Sequence, residues 1–210
     1  MKKTFVLVVL FVLPIVAYLF FASGINNFGR LTVLTEEVNE ISAIDNTLSL
    51  QDKITILGFL GKNIDYNKGN AFNLNQKIYK RFHEFHDFQF VMVVPKGTEI
   101  QVAELKKELG SFTDIRNWKF VFAQENQIQD LFESLRTNLS LDEDLATSYV
   151  FIIDKDRNLR GRTSEEDGET KYGFNARSVS DLNNKMVDDV MIILAEYRLA
   201  LKKNNARRVN

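Results

Sequence analysis

No cysteine occurs anywhere in the 210 residues. That absence excludes disulfide exchange, a thiolate nucleophile, sulfur ligation of zinc or cuprous copper, and lipid attachment through an N-terminal cysteine. Proline is nearly missing too, with two residues, and ten glycines complete a small stock of turn formers, so no segment is a low-complexity tract. Neither charge sign dominates: 27 Lys and Arg stand against 28 Asp and Glu. Such a chain has no long-range field to draw in nucleic acid. No glycine-rich phosphate loop follows any strand, and no internal repeat is visible. What is abundant is phenylalanine, seventeen residues, in a chain long enough for one domain with a sizeable core.

The longest apolar run lies at the start. Lys2 and Lys3 precede Thr4 to Ser23, which carries no charge. Some twenty apolar residues in a helix rise about 30 Å, the thickness of a bilayer core. The stretch is longer than the apolar region of a cleaved signal peptide, and Ala22-Ser23-Gly24 is a poor cleavage site. Residues 1–23 are therefore expected to be a single retained transmembrane anchor. The leading lysines put its N-terminus inside and carry the rest of the chain across, and Arg30 is the sole basic residue between the run and Lys53. The expected location is the inner membrane, single-pass, with the domain in the periplasm.

Residues 24–50 are expected to be a linker with a first hairpin around Asp45-Asn46. Residues 51–202 read as strands alternating with helices, and 203–210 as a basic tail. Ile54 to Leu60 is apolar on both faces and so central in its sheet. A loop rich in turn formers spans Gly61 to Gly69, before a helix from about Asn70. Phe88 to Val94, Trp118 to Phe122 and Ser148 to Ile153 are further strands, with helices at Glu99 to Leu109 and Glu125 to Leu135 between them. A turn at Asp154 to Asn158 leads into a short strand at Leu159, and a long helix starts near Val179. Parallel crossovers plus a late antiparallel hairpin fit an α/β, thioredoxin-like three-layer sandwich with a mixed central sheet.

The run Asp45 to Phe59, with Phe151-Ile152-Ile153-Asp154 followed by Asn158-Leu159-Arg160-Gly161, resembles the Sco/SenC branch of the thioredoxin-like superfamily. The resemblance spans about residues 44–200 and implies a membrane-tethered protein that serves copper delivery to cytochrome oxidase. It also implies a C-x-x-x-C pair after the first buried strand and a histidine before the hairpin strand. Here the first position falls within Gly61 to Gly69, including Asp65 and Gly69, and the second on Ala146. All three ligands are missing, so the fold carries over and the copper and redox chemistry do not. Oxygen donors cannot replace thiolates for cuprous ion, and Asp65 with Asn63 and Asn67 is a thin set for calcium.

The two histidines, His83 and His86, are candidate metal ligands at i, i+3, a spacing that also suits charged residues at a helix end. Ser148 and Thr147 have no histidine beside them and no nucleophile elbow. Around the stretch Gly161 to Phe174, Arg160, Arg162, Tyr172 and Phe174 surround an acidic centre, a composition common at interfaces and equally at an ordinary insertion. The expectation is a non-enzyme without cofactor that acts by protein contact, as accessory subunit or assembly factor of a membrane respiratory complex. The alternatives are a metal-dependent or peroxiredoxin-like enzyme using non-thiol groups, and a plain envelope scaffold.

Overall fold

The computed structural model describes residues 9–16, 30–163 and 168–208, with side chains as far as residue 200. The strands are β1 (Thr32–Thr35), β2 (Ile54–Leu60), β3 (Phe88–Pro95), β4 (Trp118–Ala123), β5 (Ala146–Ile153), β6 (Leu159–Gly161) and β7 (Phe174–Asn175). The main helices are α1 (Ile64–Leu74), α2 (Glu99–Gly110), α3 (Glu125–Glu133) and α4 (Val187–Arg208). The strands form one mixed sheet in the order β1-β6-β5-β2-β3-β4, and β7 pairs with β5. β2, β3 and β4 are parallel, joined by crossovers through α1 and α2, while β5 runs antiparallel to β2 and turns back into β6.

Every residue of β2 and β3 is buried, which explains why these strands read as unbroken apolar runs. The pleat divides their side chains between two cores. Ile54, Ile56, Phe88, Phe90 and Met92 pack under α1, α2 and α4. Leu57, Phe59, Val91 and Val93 pack under α3 and the segment Val38 to Leu50. Phe59, Phe132 and Phe151 meet edge to face at 5.3, 6.4 and 5.9 Å between centroids, fastening α3 to the sheet. Edge-to-face pairs of this kind add about 0.5–1.5 kcal/mol each beyond their buried area. The hairpin turn is fixed by Asp154, whose Oδ1 accepts the N–H groups of Asp156 at 2.9 Å and Asn158 at 2.8 Å, with Arg157 at a φ of 64°.

The structure corrects the sequence reading in four places. No hairpin forms around Asp45-Asn46: Ile41–Ala43 is a single 3-10 turn, and the Glu40 carboxylate gathers the N–H groups of Ile41, Leu50 and Gln51 at 2.9, 2.7 and 3.2 Å. The expected linker contains β1, and Leu31, Val38, Ile41 and Leu50 are buried, so packing begins near residue 31. The expected loop Gly61 to Gly69 is helical from Ile64, because Asn63 caps α1 by accepting the Tyr66 N–H at 3.1 Å. Both long helices also pass through a π turn, at Asn75–Tyr79 and Leu182–Met186.

Residues 9–16 are helical, with Leu10, Phe11, Leu13 and Ile15 exposed. The remainder of the expected anchor, residues 1–8 and 17–23, lies outside the described residues, as do 164–167 of the acidic centre. No helix among the described residues is long and apolar enough to cross a membrane.

Candidate functional site

The crossover connections place the C-terminal end of β2, the start of α1 and the start of β5 at one corner, where ligands gather in open α/β sheets. Of the positions singled out in the sequence, Ala146 and the Gly61 end of the loop lie against each other there, while Asp65 and Gly69 are exposed on α1. Leu60 is the register partner of Ala146, and Gly61 follows with a φ of 71°. A side chain on Gly61 has no space: its Cβ would lie 2.6 Å from the Ala146 Cβ and 2.6 Å from the Asp144 carbonyl oxygen. Ala146 is itself 2% exposed. The corner is therefore filled by backbone and one methyl group.

The turn before β5 holds that packing in place. Asp142 Oδ1 accepts the N–H groups of Asp144 at 3.0 Å and Ala146 at 2.8 Å, and Leu145 takes a φ of 62°. The Lys62 N–H donates to the Asp144 carbonyl at 2.8 Å, tying the β2 end to the turn. On α1, buried Asn67 donates from Nδ2 to the Leu60 carbonyl at 2.9 Å, so the last acceptor of β2 is satisfied from within. The Asp65 side chain is exposed in the first turn of α1, where a carboxylate is favoured by the helix dipole, and forms a 3.6 Å pair with Lys68. Gly69 is exposed on the same helix, where a side chain would point into open space. Among the described residues, no group of three or more His, Asp or Glu is placed here to hold a metal ion.

What the corner does offer outward is an aromatic and arginine pair that the sequence reading missed. Tyr66 is 70% exposed, and the Arg177 guanidinium lies 5.3 Å from its ring centroid. Beside them Lys62 and Glu125 pair at 2.6 Å, and the Glu125 carboxylate raises the Lys62 ammonium above its ordinary pKa. The signal for Tyr66 was available only as a large aromatic residue in a polar stretch; Arg177 lies 111 positions away in the chain, and only folding joins them.

The histidines sit at the opposite end of the sheet. The His83 ring stacks on Tyr79 at 5.4 Å, while the His86 side chain is 93% exposed and its Nδ1 meets Asp87 at 2.8 Å. Both line a cleft of about 540 Å³ with Lys53, Asp114 and Arg116. Asp87, the nearest carboxylate, is engaged by Lys155 and by Lys53 at 3.6 Å. Among the described residues, no group of three or more His, Asp or Glu is placed to hold a metal ion.

The expected interface is corrected at two of its four residues. Arg160 is 5% exposed: it pairs with Asp154 at 2.9 Å and Glu196 at 2.7 Å and donates twice to the Leu31 carbonyl, at 3.0 and 2.7 Å. Burial pulls its pKa down, and the hydrogen bond to Asp154 with the charge of Glu196 more than offsets this. Phe174 is fully buried in the core. Arg162 clasps the buried Asp189 carboxylate at 2.6 Å and binds α4 to the hairpin side, and half-buried Tyr172 packs against the α3-side core.

No protein-family model matches the chain, and no curated protein matches it in sequence. Solved structures that resemble it are Sco/SenC family proteins and thioredoxin-like thiol-disulfide oxidoreductases. One is an SCO1/SenC family lipoprotein from Bacillus anthracis, 14% identical, covering 79% of this chain and 98% of that one at a TM-score of 0.49. Another is BsSco, a member of the Sco family of cytochrome c oxidase assembly proteins, at 13% identity, 76% and 92% coverage and a TM-score of 0.46. A third is the thioredoxin domain of a thiol-disulfide oxidoreductase from Bacteroides vulgatus, at 15% identity, 66% and 82% coverage and a TM-score of 0.41.

Proposed function

We propose that this chain is a membrane-anchored, periplasm-facing domain of thioredoxin-like build that has no redox or copper chemistry and acts by protein contact. In this reading it is an accessory subunit or assembly factor of a membrane respiratory complex such as cytochrome oxidase. Residues 1–23 anchor it and 203–210 form a basic tail. The observation that carries the reading is the closed corner: Ala146 stands against Gly61 where the Sco/SenC resemblance implies metal ligands, and no thiol exists to replace them. The respiratory assignment rests on the resemblance of the Phe151 to Asp154 and Asn158 to Gly161 hairpin. The exposed Tyr66 and Arg177 pair supplies residue types that dominate binding energy at interfaces.

The test is co-isolation of full-length chain from its native membranes in mild detergent. The expected result is recovery of oxidase subunits, reduced at least about fivefold by a Tyr66→Ala, Arg177→Ala double variant that folds normally, since truncating anchors of this kind costs 1 kcal/mol or more. Recovery of no respiratory subunit, or recovery unchanged by the double variant, contradicts the reading.

A further inference from the structure

We propose that the outer edge of β4 is a docking strand for an extended, acidic peptide segment of a partner protein. The inference stands on a different part of the molecule from the closed corner and does not require the partner to be a respiratory complex.

β4 ends the sheet, with β3 as its one sheet neighbour. The Phe90 N–H donates to the Asn117 carbonyl at 2.8 Å, and the Lys96 N–H to the Ala123 carbonyl at 3.0 Å. The odd-numbered residues of β4 thus face β3, and alternation along a strand turns the backbone of Phe120 and Phe122 outward. Their N–H and C=O groups take no partner among the described residues. The opposite edge of the sheet is managed differently: β1 has four residues and a register shift between Val33 and Thr35. β4 pairs over six residues with no irregularity, which leaves a straight template for another strand.

A groove of about 440 Å³ runs along this edge. Lys106 and Ile115 line it from the α2 side and Thr47 and Leu48 from the opposite face, with Trp118, Lys119 and Phe120 at its floor. Its charge is uneven. Lys106 Nζ stands 6.0 Å from the Phe120 ring centroid, and Lys119 Nζ donates to the Arg116 carbonyl at 2.7 Å. Neither ammonium group has a carboxylate partner among the described residues. Asp114 is paired with Arg116, and Asp45, which accepts from the Thr47 hydroxyl at 2.6 Å, is the one carboxylate lining the groove, against Lys106, Arg116 and Lys119, so the lining is basic on balance. An added strand would meet Lys119 on one face and Lys106 on the other, so acidic residues on both faces suit it. A second copy of this chain is disfavoured as occupant, because its own β4 carries Lys119 and no acidic residue to offer the two lysines.

Trp118 is the single tryptophan of the chain and reports directly on this edge. The experiment titrates full-length chain in detergent micelles with the peptides Val-Glu-Glu-Val-Glu-Glu-Val and Val-Lys-Lys-Val-Lys-Lys-Val, following Trp118 emission and hydrogen exchange of residues 118–123. The acidic peptide is expected to bind in preference and to slow exchange at Phe120 and Phe122. A Lys106→Glu, Lys119→Glu variant, altered at two surface positions, is expected to lose about tenfold for the acidic peptide and to gain for the basic one. Equal affinity for both peptides, or binding without slowed exchange in β4, overturns the proposal. Protection that rises with protein concentration in the absence of peptide also overturns it, assigning the edge to a second copy.

Discussion

Gly61 occupies a backbone conformation with a φ of 71° and faces Ala146 and the Asp144 carbonyl at 2.6 Å from where a Cβ would stand. A Gly61→Ala variant meets both the left-handed penalty and a backbone clash, and a loss of about 2–4 kcal/mol in unfolding free energy is expected by urea titration. Stability within about 0.5 kcal/mol of the parent would show that the corner can open. At the other end of the sheet, the Lys155 hydrogen bond, helped by His86 and Lys53 against partial burial, holds the Asp87 carboxyl at about 2 in place of 3.8. A depressed carboxyl contributes stability that is complete above its unfolded pKa and disappears as pH falls through the folded one. Asp87 is 36% exposed, so the contribution is discounted to about 1 kcal/mol. Asp87→Asn is therefore expected to unfold about 1 kcal/mol more easily at pH 7, with the difference closing between about pH 4 and pH 2. A gap independent of pH would contradict this assignment.

At the scale of elements, the π turn of Asn75–Tyr79 carries a cost that a substitution can expose. Asn75 is fully buried, and neither Nδ2 nor Oδ1 has a hydrogen-bond partner among the described residues. Replacing it by leucine, of similar shape, is expected to raise stability by about 1–3 kcal/mol, read as a higher urea midpoint with unchanged slope. A lower midpoint would mean that the amide is satisfied and structural. The same turn shows what the sequence withholds. β2, β3 and β5 are legible because strands buried on both faces need apolar residues at every position. The start of α1 is not, since Asn63, Asp65, Asn67 and Gly69 are turn formers by composition, and only the Asn63 cap and the Asn67 plug reveal them as helical. β1 and β7, of four and two residues, are too short for a period to emerge.

For the whole molecule, the absence of cysteine was the most legible functional fact, and Ala146 was singled out only through the Sco/SenC resemblance of the hairpin that follows it. The arrangement of the surface was not. Arg160 and Phe174 looked like interface anchors because a sequence does not state which carboxylate or core a side chain meets; folding gives Arg160 to Asp154 and Glu196, and Phe174 to the interior. Tyr66 and Arg177, and the basic edge of β4, arise from residues distant in the chain. The measurement that bears most directly on a contact role is anaerobic Cu(I) titration of the purified full-length chain against a chromophoric cuprous chelator. The chelator is expected to retain all the copper at every protein concentration. Stoichiometric withdrawal of Cu(I) by the protein would contradict the account.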